Sequence, residues 1–184
     1  MLPKSRRDKE RSERIEEWLD KGMGCCALRN SEAAAFVQNT LLHFDGQRYR
    51  MMAWVLMPNH VHVLIEAKEP MAKIIQAWKS FSARWLLANN QRLRLGLPDP
   101  HNVWMREYWD RFIRDERHLA STFEYIHDNP VKAGLCARAS DWPWSSARVS
   151  GSAGIADVLV GKANEDANVP PVGCDEIGDG EGKR

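Results

Sequence analysis

Two apolar runs, Met51–Met57 and Val61–Ile65, stand on either side of Pro58-Asn59, a pattern that predicts two antiparallel strands joined by a tight turn. Side chains i and i+2 leave a strand on the same face, so His60 and His62 are expected to point the same way. Around this hairpin the spacing turns helical. Ser31 is placed to cap a helix through about His43, with Ala35, Val37, Leu41, Leu42 and Phe44 on its apolar side. Pro70 opens a longer helix, to about Asn90, in which Ile74, Trp78, Phe81 and Trp85 recur at helical intervals. Asp115 caps a third, built on Leu119, Phe123 and Ile126; Pro130 pushes Asn129 away from helical backbone and should end it near Asp128.

The remaining segments are less regular. Lys4–Lys21 reads as a charged helix whose apolar side is only Ile15, Trp18 and Leu19, ended by Gly22 and Gly24. Cys25–Leu28 fits either a short strand or an extended link, Gln91–His101 a loop, and Val103–Ile113 a further strand or an irregular aromatic segment. Leu135–Ala137 is a candidate strand, and Trp142-Pro143-Trp144-Ser145-Ser146 closes the globular part. From about Ser150 the apolar period is lost, which predicts disorder. The expected division is a charged helix over 1–22, a domain over 23–149 and an acidic tail over 150–184.

At 184 residues the chain can bury one ordinary core. Its longest apolar stretch is broken by Pro, Asn and His, so no membrane span is expected, and the charged N-terminus lacks the apolar segment of a signal peptide. Cys25, Cys26, Cys136 and Cys174 form no CxxC pair, and a reducing cytoplasm is the expected compartment. The formal charge of +1 conceals an asymmetry: residues 151–184 carry seven acids and three bases, leaving residues 1–150 with 23 bases and 18 acids. Most of the eight tryptophans lie near bases such as Lys79, Arg84, Arg106, Arg111 and Arg114. That interleaving suits single-stranded nucleic acid, although for any one tryptophan core packing is the simpler explanation.

Paired imidazoles on one strand face can hold a divalent cation between them; the alternative is two half-buried histidines satisfied by protein. A structural zinc site would need cysteines at short spacing, and none lies nearby. On the third helix Tyr125 falls at the margin of the buried stripe, and Asn129 follows one turn later. A tyrosine beside a metal and a phosphodiester is a sensible nucleophile, while a tyrosine alone at that margin more simply packs with its hydroxyl outward.

Together AWVLMPNHVHVLIE, WKSF, YWDRFIRDE, YIHDNPVKAGL and DWPWSSAR resemble, in the expected order, the REP-associated tyrosine transposases, single-tyrosine members of the HUH nucleases. The resemblance covers roughly Ile15 to Arg148. It implies a ferredoxin-like α+β fold, an antiparallel sheet carrying the HUH strand centrally, with helices on one face and the tyrosine helix presenting its side chain to the metal. It implies Mg²⁺ or Mn²⁺ bound by His60 and His62 and completed by Asn129, and Tyr125 as the residue that attacks single-stranded DNA beside a hairpin, leaving a 5′-phosphotyrosine. Lys79, Arg84, Arg106, Arg111 and Arg114 are the candidate phosphate contacts. Relatives from insertion sequences act as dimers, whereas the REP-associated group is expected to act as monomers. Members usually open with a strand like YFVTFRL, where this chain reads as a charged helix. The expectation is therefore a sheet without its usual first strand, and a hairpin-binding protein that no longer cleaves is the alternative function. A hydrolase using water would leave the tyrosine idle.

Overall fold

The computed structural model describes residues 14, 15, 18, 19, 22–97, 102–106, 108 and 110–148. Arg14, Ile15, Trp18 and Leu19 are helical, as the charged N-terminal segment predicts; most of that segment, and the acidic tail, lie outside the described residues. The helix is closed at Gly22, whose φ of +73° allows its N–H to reach the Leu19 carbonyl while Met23 N–H reaches that of Trp18. The segment after it is neither strand nor extended link but a single 3-10 turn, Ala27–Arg29, with Ala27 and Leu28 buried.

Helix α1 spans Ser31–Leu42, and its cap is Asn30, not Ser31. The Asn30 carboxamide oxygen accepts from the N–H groups of Glu32 and Ala33, at 3.0 and 3.1 Å, so two donors of the first turn are met by one side chain. Strands β1, Tyr49–Leu56, and β2, Val61–Ala67, pair antiparallel from Tyr49↔Ala67 to Leu56↔Val61. The Met57 N–H closes their turn on the His60 carbonyl at 2.8 Å. An irregularity between Met51 and Ala53 shifts the alternation by one residue. Tyr49 and Met51 therefore share one face with Trp54 and Leu56, while Ala53, Val55 and Met57 occupy the other.

The first face is covered by α1 and by α2, Met71–Leu93. Ile74, Trp78, Ser82 and Leu86 form the buried stripe of α2, so a serine stands where Phe81 was expected, and Phe81 is 52% exposed. The substitution has a reason. The Ser82 hydroxyl donates to the Trp78 carbonyl and accepts from the Trp104 indole N–H, giving a half-buried donor its partner. Phe81 and Trp85 instead stack on Phe36, with ring centroids 5.6 and 4.2 Å away, joining α2 to α1. Tyr49 completes this core by donating to the Leu41 carbonyl and accepting from the Trp78 indole.

The second face is covered by α3, Glu116–Lys132, through Phe123 and Ile126. Helices thus lie on both sides of the hairpin rather than on one. Asp115 caps α3 as predicted, accepting from His118 N–H at 2.8 Å, but the helix does not stop before Pro130. Pro130 is among the most completely buried side chains, and packing offsets the cost of its missing N–H. The end comes at Gly134, where Gly134 N–H meets the Val131 carbonyl and Leu135 N–H that of Pro130.

Neither Val103–Ile113 nor Leu135–Ala137 contains a strand among the described residues. The second edge of β1 is met instead by the Trp142–Ser146 segment. Val55 bridges Ser145, Leu56 N–H donates to the Trp144 carbonyl at 2.8 Å, and the Trp142 indole donates to the Leu56 carbonyl at 2.9 Å. Among the described residues β2 pairs with β1 alone, so β1, not the histidine strand, is flanked on both sides. No described helix is long and apolar enough to cross a membrane. Asn30→Ala is expected to cost about 1 kcal/mol in urea denaturation, whereas Ser31→Ala should change stability by only a few tenths. Equal losses would return the cap to Ser31.

Candidate active site

On β2 the face toward α3 carries His62 and Leu64, and His60 precedes them on the same side. The two imidazoles meet as the strand period predicts. Their Nε2 atoms are 3.0 Å apart and their rings nearly perpendicular, with centroids 4.7 Å apart. Tyr125 reaches the same place from α3, its ring centroid 5.5 Å from that of His62. Asn129, one turn further on, is buried, and its carboxamide donates to the Tyr125 carbonyl at 3.3 Å, which leaves its oxygen as the atom it can offer to another group. Residues some sixty positions apart are thus brought together by the docking of one helix on one strand face.

Burial pushes the His60 imidazole down to about 3, with the neighbouring His62 adding to the shift. A neutral ring at ordinary pH is the form that ligates a metal. The spacing can be checked against coordination geometry: two nitrogens about 2.1 Å from an octahedral ion, at a right angle, stand about 3.0 Å apart. The observed pair matches that. Among the described residues no group of three or more His, Cys, Asp or Glu surrounds a common point. Two imidazole nitrogens could hold a divalent ion and leave its other positions to water or substrate oxygens.

Three residues that the sequence did not single out belong to this neighbourhood. Lys132 lies seven positions beyond Tyr125, and its ammonium stands over the Tyr125 ring, 5.2 Å from the centroid. It was invisible because Pro130 was expected to have ended the helix. His127 and Ser146 lock α3 to β1: the Ser146 hydroxyl lies 2.8 Å from His127 Nε2, 3.0 Å from Trp54 N and 3.2 Å from Trp54 O. With the proton on His127 Nε2, Ser146 accepts twice and donates once, and all three contacts are satisfied. Burial holds this imidazole below the usual histidine range as well.

The candidate phosphate contacts are not one cluster. Lys79 is held by protein, its ammonium donating to the Met105 and Arg106 carbonyls at 2.6 and 3.3 Å. Arg106 lines a surface depression with Lys79 and Tyr108. Arg84 is exposed on α2 and folds back toward the Ser80 carbonyl; Arg111 and Arg114 are exposed in the segment leading into α3. Trp54 and Trp78 are core, whereas Tyr108 and Phe112, the latter 73% exposed, alternate with Arg106 and Arg111.

The described fold thus sets a histidine pair on one strand face against a tyrosine of the helix packed on that face. The chain belongs to the family described as "Transposase IS200 like", whose model matches residues 32–129. It is 31% identical over 99 residues to the REP-associated tyrosine transposase of Escherichia coli strain K12, covering 53% of this chain and 54% of that one. It is 30% identical over 108 residues to a Haemophilus influenzae protein provisionally named a REP-associated tyrosine transposase, covering 53% and 58%. The match therefore spans little more than half the length of these relatives. Among solved structures, that of a REP-associated tyrosine transposase bound to a REP hairpin superposes with a TM-score of 0.56 at 21% identity, covering 72% of this chain and 73% of that one.

The depressed His60 value fixes a direction for stability. The unfolded chain takes up a proton as pH falls through about 6.5, whereas folded His60 does not until about 3, so stability is full above 6.5 and declines below it. The urea midpoint should fall between pH 7 and pH 5, and the His60 ring resonances should not titrate between pH 5 and 8. A His60 titration near 6.5 would refute the burial reading.

Proposed function

We propose that this chain is a metal-dependent enzyme that cuts and rejoins single-stranded DNA beside a hairpin through Tyr125. The observation that carries the proposal is the meeting of His60, His62 and Tyr125 at one point. Mg²⁺ or Mn²⁺ would be held by His60 and His62, with the Asn129 oxygen as a further ligand. When bound, the ion offsets negative charge on the scissile phosphate. The Tyr125 oxygen, giving up its proton, forms a bond to phosphorus, and the bond from phosphorus to the 3′-oxygen breaks, releasing a 3′-hydroxyl once that oxygen is protonated. The DNA 5′ end stays on Tyr125 as a phosphodiester of similar energy, so a second 3′-hydroxyl can reverse the step without a nucleotide cofactor.

Lys132 supplies a positive charge on the face of the ring, where it favours the developing phenoxide. The exposed stretch around Arg106, Tyr108, Arg111, Phe112 and Arg114 combines cations with rings on which unpaired bases can stack. The similarity to a hairpin-bound relative supports a hairpin substrate. Because one chain supplies both imidazoles and the tyrosine, a monomer is sufficient. A chain that only binds hairpins would have no use for a tyrosine ring set against a histidine pair, so cleavage is the reading favoured.

With Mn²⁺ and a single-stranded hairpin substrate, the protein should form a covalent adduct that Tyr125→Phe abolishes while hairpin affinity changes less than threefold. An adduct from the Phe variant would remove Tyr125 from the chemistry. Mixing Tyr125→Phe with His62→Ala should restore no adduct; restoration would show that the site is shared between two chains. Arg111→Ala and Arg114→Ala should each weaken hairpin binding and lower the salt slope by about 0.7. An unchanged slope would place these arginines off the DNA.

A further inference from the structure

The residue before the histidine pair is held through both N–H groups and the oxygen of its carboxamide. Asn59 donates both N–H bonds of its carboxamide to backbone carbonyls of the N-terminal segment, those of Leu19 and Met23, each at 2.8 Å. Its oxygen lies 2.8 Å from His60 Nδ1. The amide cannot be turned over, because the reversed orientation would set its oxygen against two carbonyl oxygens. The oxygen therefore faces Nδ1, which must carry a proton to donate to it. In a neutral ring that leaves His60 Nε2 as the bare nitrogen, and Nε2 is the atom that faces His62.

We propose that Asn59 is a positioning residue that fixes the His60 tautomer with the proton on Nδ1 and Nε2 unprotonated, the form that ligates metal, and couples that choice to the docked N-terminal segment. The assignment rests on the reading of His60 as a metal ligand. It follows the general arrangement in which a ligating histidine donates its other N–H to a carbonyl oxygen, setting both ring orientation and basicity. Here the acceptor is held by the end of another element. Leu19 and Met23 belong to the left-handed turn at Gly22 that closes the N-terminal helix, so Asn59 also fills acceptors at that helix end. A third bond, from Leu28 N–H to the Pro58 carbonyl at 3.0 Å, pins the same segment to the same turn. Undocking the segment would free the Asn59 amide to rotate, and His60 would lose the partner that selects its tautomer.

The test uses the full chain labelled with ¹⁵N-histidine. In the wild type, long-range ¹H–¹⁵N spectra should show His60 protonated at Nδ1 and bare at Nε2; a proton on Nε2 would overturn the proposal without any variant. Asn59→Ala should give a mixture of His60 tautomers and weaken Mn²⁺ binding, read from the electron paramagnetic resonance of free Mn²⁺, by about 10- to 100-fold. Unchanged tautomer and affinity would overturn it. Asn59→Asp keeps the acceptor and loses both donors, so it should preserve the tautomer while amide hydrogen exchange through residues 18–28 speeds up; wild-type exchange there would break the coupling half of the proposal. Should the wild type take up no Mn²⁺, the metal reading of the site falls, while the imidazole spectrum still decides the role of Asn59.

Discussion

A two-stranded hairpin with helices on both faces gives each strand side chain one of two cores to enter, and alternation along the chain decides which. That constraint runs through the whole structure. The irregularity at Met51 and Ala53 lets Tyr49 and Met51 join Trp54 and Leu56 under α1 and α2, and sends Ala53, Val55 and Met57 toward α3. On β2 the same alternation sends Val61, Val63 and Ile65 one way and His62 and Leu64 the other. A slip of one residue in the pairing would turn the imidazoles toward the tryptophan core and the valines toward α3, so the register that builds the core also builds the site.

Periodic segments were legible because their patterns are local. The hairpin, the helix before it, the two helices after it and the Gly22 terminus follow from spacing and turn residues. Tertiary partners decided what spacing left open. Asn30 displaced Ser31 as a cap because its longer side chain reaches two backbone donors, and Ser82 displaced Phe81 in the core because an indole from Trp104 needed an acceptor. Pro130 stayed helical because its ring is buried, a fact with no signature in the preceding residues. The same holds for the edge of β1. A tryptophan-proline-tryptophan stretch does not look like a strand, yet its carbonyl and indole groups satisfy one.

Within the site, the HUH pair could be read from two residues and their spacing, since a strand has only two faces. Tyr125 could be named by its resemblance to a family, but its approach to His62 depends on how α3 seats against β1, and that seating is set by Phe123, Ile126 and the His127–Ser146 contact. The exposed cations were the least legible. Lys79 resembles any other helix lysine in sequence, and only the chain path through Met105 and Arg106 shows that two carbonyls hold it.

The continuation of α3 past Pro130 has a mechanical consequence. Tyr125, Asn129 and Lys132 ride on one unbroken helix, so the proposed nucleophile, the proposed third ligand and the neighbouring cation share a single rigid carrier. A small roll or slide of that carrier would displace all three in concert. The assembly would then tend to be wholly engaged or wholly withdrawn, like a key whose teeth are cut on one shaft.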